Sequence, residues 1–102
     1  MEARHILISY KGAARSMQTR SKAEAEKEAK RLLDELKKGK DFAELATKHS
    51  DGPSGKKGGY LGRFAQGTMT PAFEKAVFAL KPGTVSNLVE TEYGFHIIKR
   101  EK

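Results

Sequence analysis

With 102 residues, 37% of them hydrophobic and five Phe and three Tyr among them, the chain has enough for one domain and one modest core, and too much apolar content for global disorder despite 32% charged residues. It contains no cysteine, which excludes disulfides, thiolate catalysis and cysteine-ligated zinc or iron-sulfur sites and leaves the redox compartment open. Twenty Lys and Arg against thirteen Asp and Glu give a formal net charge of +7, which suits a solvated basic surface, an acidic or phosphorylated substrate, or nucleic acid.

Residues 4–10 read as a first strand, rich in branched aliphatics and fully apolar over Ile6 to Ile8. That run is shorter than the roughly 7 to 15 residues of a signal-peptide core, and no segment approaches the roughly 18 apolar residues of a membrane span. A soluble, cytoplasmic protein is the expectation. After a polar loop from Lys11 to Arg20, Ser21 stands three residues before Glu24 in a capping-box pattern. The run SKAEAEKEAKRLLDELKKG has strong helix formers throughout and stops at Gly39, with Ala25, Ala29, Leu32, Leu33 and Leu36 on one core-facing stripe. Asp41 caps a shorter helix, FAELATKHS, whose buried side is Phe42, Leu45 and Ala46. The loop DGPSGKKGG that follows is rich in glycine and lysine, but no Lys-Ser/Thr pair opens a helix behind it, so a nucleotide-phosphate cradle is not expected. YLGRF is a short second strand, and TPAFEKAVFAL is a third helix with Thr70 as cap, Pro71 first, and Phe73, Val77 and Leu80 as anchors. Beyond the KPG turn, VSNLVET and GFHIIKRE form two strands about a hairpin at Glu92 to Gly94. The order β-α-α-β-α-β-β is that of an α+β domain spanning 1–102, with helices covering a mostly antiparallel four-stranded sheet.

Two of these apolar strands carry one histidine each, although burying imidazole nitrogens without partners costs about 1 to 3 kcal/mol. Strand alternation puts His5 with Leu7 on one face and Ile6 with Ile8 on the other; it puts His96 with Ile98, opposite Phe95 and Ile97. If the two strands are neighbours, the rings face each other across the ladder, one donating and the other accepting. The alternative is two independent, partly exposed strand histidines. Two histidines are too few to hold a metal, and His49 lies on the second helix without acids at supporting spacing, so no metal is expected. Aromatic residues are not interleaved with the basic ones and no base-reading element is present, which argues against nucleic acid as partner.

RHILI at the start, HSDGPSGKKGGYLG in the middle, FAQGTMTPAFEKAVFALKPGTVS after it and the closing VETEYGFHIIKR resemble, in order and spacing, the parvulin family of peptidyl-prolyl cis-trans isomerases. The resemblance covers nearly the whole chain. It implies the parvulin fold, a four-stranded antiparallel sheet wrapped by helices. It also implies isomerisation of X-Pro bonds in polypeptides without metal or cofactor; a monomer is the expectation. By position, it puts the proline pocket at Leu61, Met69 and Phe73, the paired sheet histidines at His5 and His96, and a threonine of the histidine network at Thr91. Gln66 lies in the same segment and is a candidate to face substrate.

Two departures from the family pattern stand out. Small bacterial parvulins often carry Cys or Asp where this chain has Gly52, so either Asp51 takes that role from one residue earlier or the site works without an acid; Asp51 also fits a plain turn residue. Tyr60 replaces the usual Asp before LG. Some parvulins favour phosphoserine or phosphothreonine before proline through a basic cluster after the first strand. Lys11, Arg15 and Arg20 are the candidates for such anion contacts here, although Ser9 replaces the family's lysine and the paired arginines are reduced to one. A proline-peptide-binding module without turnover is the alternative that these changes leave open.

Overall fold

A computed structural model describes all 102 residues. The elements are β1 (Glu2–Ile8), α1 (Lys22–Lys37), α2 (Phe42–His49), a 3-10 turn (Pro53–Lys57), β2 (Tyr60–Arg63), α3 (Pro71–Phe78), β3 (Val89–Thr91) and β4 (Gly94–Arg100). The four strands form one sheet in the order β2-β1-β4-β3 with every pair antiparallel, so this is the expected α+β architecture. No helix is long and apolar enough to cross a membrane.

Local chemistry explains most boundaries. Ser21 and Glu24 close the capping box reciprocally: the Ser21 hydroxyl accepts from the Glu24 N–H at 3.1 Å, and the Ser21 N–H donates to Glu24 at 2.8 Å. The Asp41 carboxylate accepts from the Glu44 N–H at 3.0 Å and starts α2. At α3, Pro71 does occupy the first turn, but the Thr70 hydroxyl makes no capping bond. The first strand runs over 2–8 and not 4–10, because the Ser9 N–H leaves the ladder for the Asp51 carboxylate at 2.9 Å. The strand expected over VSNLVET shrinks to Val89–Thr91, with Val85 held by a single bridge to Lys99. There the Ser86 hydroxyl takes the Ile98 N–H at 3.0 Å, a side chain standing in for a ladder carbonyl.

The sheet divides the interior into two clusters where the sequence suggested one core. Ile6, Ile8, Phe95 and Ile97 pack under α1 and α2 against Ala25, Ala29, Leu32, Leu33, Phe42, Leu45 and Ala46. On the other face Ala3 and Ile98 meet Phe64, Phe73 and Val77. The alternation that sends these four large apolar side chains to the first face sends His5, Leu7 and His96 to the second. The glycine-rich loop brings the chain tightly against β1: Gly59 at φ +80° accepts the His5 N–H at 2.9 Å, and a Cβ there would collide with the His5 carbonyl oxygen.

Candidate active site

β1 and β4 pair so that His5 opposes Ile98 and Leu7 opposes His96. The two histidines are therefore diagonal neighbours and not directly opposed, a register that sequence alternation does not set. Diagonal spacing still lets imidazoles meet: the Nδ1 atoms stand 3.0 Å apart, with ring centroids 5.2 Å apart. His96 Nε2 is 2.6 Å from the Thr91 hydroxyl on β3, and that hydroxyl also accepts from the Tyr93 N–H at 3.2 Å. Both histidines are buried. Phe73 of α3 stands edge-on to each, its centroid 5.7 Å from His5 and 5.5 Å from His96.

The hydrogen-bond inventory couples the tautomers of the two rings to the Thr91 hydroxyl. A threonine hydroxyl has one proton, and Thr91 has no acceptor in the protein except His96. If Thr91 donates to His96 Nε2, then His96 Nδ1 carries its proton and donates to His5 Nδ1, leaving the His5 proton on Nε2. In the reverse order His96 Nε2 donates to Thr91, and the half-buried hydroxyl turns its own proton to solvent. In the first order Thr91 donates to His96, His96 donates to His5, and the free N–H is His5 Nε2. That atom bonds no protein group and is not among the buried, unpartnered polar atoms. A Cβ on Gly52 would lie 3.5 Å from it, so it faces the space that this glycine leaves open.

That space is a groove of about 600 Å³. Leu61, Met69 and Phe73 form its apolar end, His5, His96 and Leu7 its floor, and Ala14, Arg15, Ser16, Met17 and Gln18 of the 11–20 loop its rim. Leu7 was readable from alternation, since it shares a face with His5. Burial lowers the His5 pKa to about 4 and that of His96 to about 3, the neighbouring His5 adding to the effect on His96. Both rings are neutral at physiological pH.

This has a consequence for stability. The unfolded chain takes up protons on these histidines near their ordinary value of 6.5, while the folded chain does so only near 4 and 3. Stability is therefore unaffected by either ring above pH 6.5 and falls as pH drops below it, by at most about 1.4 kcal/mol per pH unit for each histidine. Urea unfolding between pH 7.5 and 5 checks this. The slope is expected to shrink in a His5→Asn variant, and an unchanged slope would contradict it.

The remaining candidates are placed unequally. Asp51 lies on the groove wall, but its carboxylate is fully engaged: it accepts from the Ser9 N–H and the Gln18 amide at 2.9 Å each and from Arg20 at 2.5 Å. It pins the rim loop to the end of β1 and is not a free acid. Arg20 is spent on the same clasp, donating also to the Ser9 carbonyl at 3.0 Å, and neither it nor Lys11 lines the groove. Arg15 alone of the three does, with its backbone in the left-handed region at φ 56°. Gln66 is exposed and faces a separate depression beside Glu2, Arg63 and Arg100, on the far side of its loop from Met69. Tyr60 is also outside the groove, where the Arg4 guanidinium sits 5.3 Å from its ring centre. Sequence reasoning missed the Ser9–Gln18–Arg20 clasp, because its members meet only after folding.

Comparison with known proteins agrees with this geometry. The model of the rotamase family, the PPIC-type PPIase domain, matches residues 5–102. Over 98% of its length the chain is 43% identical to peptidyl-prolyl cis-trans isomerase pin1 of Schizosaccharomyces pombe, of which it spans 61%, and 39% identical to peptidyl-prolyl cis-trans isomerase Pin1 of Arabidopsis thaliana, of which it spans 93%. The structure superposes on peptidyl-prolyl isomerase ESS1 from Candida albicans with a TM-score of 0.94 at 35% identity, covering 99% of this chain and 62% of that one. With the sheet, the helices and the matched residues in agreement, the chain belongs to the parvulin-type peptidyl-prolyl cis-trans isomerases, whose members act on proline-containing peptides and proteins.

Proposed function

We propose that this chain accelerates rotation about X-Pro bonds without covalent chemistry, by binding the twisted amide better than either planar form. The planar bond is held by a resonance barrier of about 18–20 kcal/mol. Twisting destroys that resonance and localises a lone pair on the proline nitrogen, so a donor that meets the lone pair acts on the transition state alone. A 10⁴-fold acceleration needs only about 5.5 kcal/mol of such differential binding. The slot of Leu61, Met69 and Phe73 takes the proline ring, and the neutral His5 Nε2–H supplies the donor, with His96 and Thr91 holding its tautomer. The observation that carries the reading is the contact of two buried imidazoles with each other and with Thr91 beside an apolar groove.

The rim supports one refinement about substrate. Arg15 is the only cation lining the groove, and Asp51 is already neutralised by Arg20. One guanidinium suits a single carboxylate before proline better than a dianionic phosphate, which is usually met by two or more cations. Arg15→Ala is expected to lower kcat/KM on Glu-Pro peptides about 3- to 10-fold, one charge-assisted contact, and to leave Ala-Pro within about twofold. Lys11→Ala changes neither. The chain acts as a monomer.

Exchange NMR on X-Pro peptides with X as Ala, Leu, Glu, Arg and phosphoserine, at substoichiometric protein, tests both statements. Faster cis-trans exchange with Glu ranked above phosphoserine is expected. Peptide binding without faster exchange would instead mark a binding module, and a clear preference for phosphoserine would overturn the single-cation refinement.

A further inference from the structure

Glu74 is one residue past Phe73 on α3 and is 8% exposed, a charged side chain covered by the 64–70 loop with no cation paired to it. An unpaired buried carboxylate is costly unless hydrogen-bond donors satisfy it. Here every donor is backbone. The Gly67 N–H bonds both carboxylate oxygens, at 2.9 and 2.8 Å, and the Met69 N–H bonds one of them at 2.9 Å. These bonds hold the Glu74 pKa below its ordinary value, so the charge persists at neutral pH. Gly67 sits at φ +94°, which lets the 64–70 loop curl around the carboxylate. The same loop carries Met69, one wall of the proline slot, and Glu74 leaves the same helix as Phe73, the facing wall.

We infer that Glu74 is a positioning residue that sets the width of the proline slot, by tying the loop that bears Met69 to the helix that bears Phe73. This rests on the isomerase reading of the groove. Thr70 leaves the role open, since its hydroxyl does not cap α3 and the loop's entry into the helix is fixed by Glu74 instead. A slot fixed in this way discriminates by ring size. One additional methylene in a fitted pocket typically lowers kcat/KM about 10- to 200-fold, so a peptide with six-membered pipecolate in place of proline is a poor substrate for the native chain.

The test compares Ala-prolyl and Ala-pipecolyl peptides in the native chain, Glu74→Gln and Glu74→Asp. Glutamine keeps the shape and, with its oxygen where both N–H groups converge, sets its NH2 against the Gly67 N–H in place of the second acceptor, so the charge and one bond are lost and the loop loosens; the preference for proline is expected to fall to within about threefold, mainly through KM. Aspartate keeps the charge on a shorter arm, draws the loop toward α3 and sharpens the preference. The two variants move the ratio in opposite directions, and either one that folds decides the matter. Variants that lose thermal stability while the proline-to-pipecolate ratio stays at its native value would make Glu74 merely structural and overturn the inference. If the native chain accelerates no exchange at all, the isomerase reading fails separately, and the ratio of peptide Kd values still reports whether Glu74 sets the slot.

Discussion

Replacing His96 with leucine is expected to lower kcat/KM for an Ala-Pro peptide roughly 100-fold, about what one preorganised donor contributes in other active sites. His96 is the middle of the relay, bonded to Thr91 at one nitrogen and His5 at the other. Leucine fills most of its volume, but leaves the Thr91 hydroxyl and His5 Nδ1 without their partner, at about 1–3 kcal/mol for each group that stays buried and unpaired. His5 is then free to shift its proton to Nδ1, and the donor facing the groove is lost. Thr91→Val makes the narrower cut. It removes only the hydroxyl that sets the direction, so turnover falls by about tenfold with little change in packing. Steady-state exchange rates beside urea midpoints separate the cases: lost turnover with most stability retained supports the relay, whereas native turnover in His96→Leu would reduce both histidines to packing.

Phe73→Ala is the second large effect, and it falls mainly on the fold. The ring is 4% exposed and touches the edges of His5, His96 and Phe64. Truncating a buried phenylalanine typically costs about 3–5 kcal/mol. Against the 5–15 kcal/mol that separates native from unfolded in most domains, that leaves a marginal protein. Phe73 is one of the two aromatic rings among the five buried members of the smaller cluster, against which Met1, Leu61, Met69, Ala76, Leu80 and Val89 pack partly buried. Phe73→Leu keeps an apolar wall, and is expected to cost less than half as much in stability while raising KM for prolyl peptides several-fold. Thermal unfolding of both variants tests this; a Phe73→Ala chain as stable as the native one would contradict it.

Much of this was legible because local rules and the fold agree. The capping box at Ser21 and Glu24, the stripe from Ala25 to Leu33 and the alternation that separates His5 from Ile6 and Ile8 all appear where the sequence puts them, and Leu61, Met69 and Phe73, which only the family resemblance singled out, line one groove. What was not legible depends on partners distant in sequence. The diagonal meeting of His5 and His96 is set by the β1–β4 register, 91 residues apart along the chain. Asp51 reads as a turn residue or a displaced acid until Ser9, Gln18 and Arg20 converge on it, and the same convergence withdraws Arg20 from the groove. Gln66 lies in the same segment as Met69 yet lines a different depression, with Arg63 and Arg100, and sequence alone gives no signal of that. In a helix pattern, Glu74 looks like one more surface charge.

The directed neutral relay is tested most directly by exchange NMR on an Ala-Pro peptide from pH 5.5 to 9, with the ¹⁵N shifts of both imidazoles followed in the same samples. The account predicts faster cis-trans exchange at a rate that is flat across this range, with His5 protonated at Nε2, His96 at Nδ1, and neither ring titrating. No acceleration, or acceleration that follows a histidine titrating near pH 6.5, would contradict it.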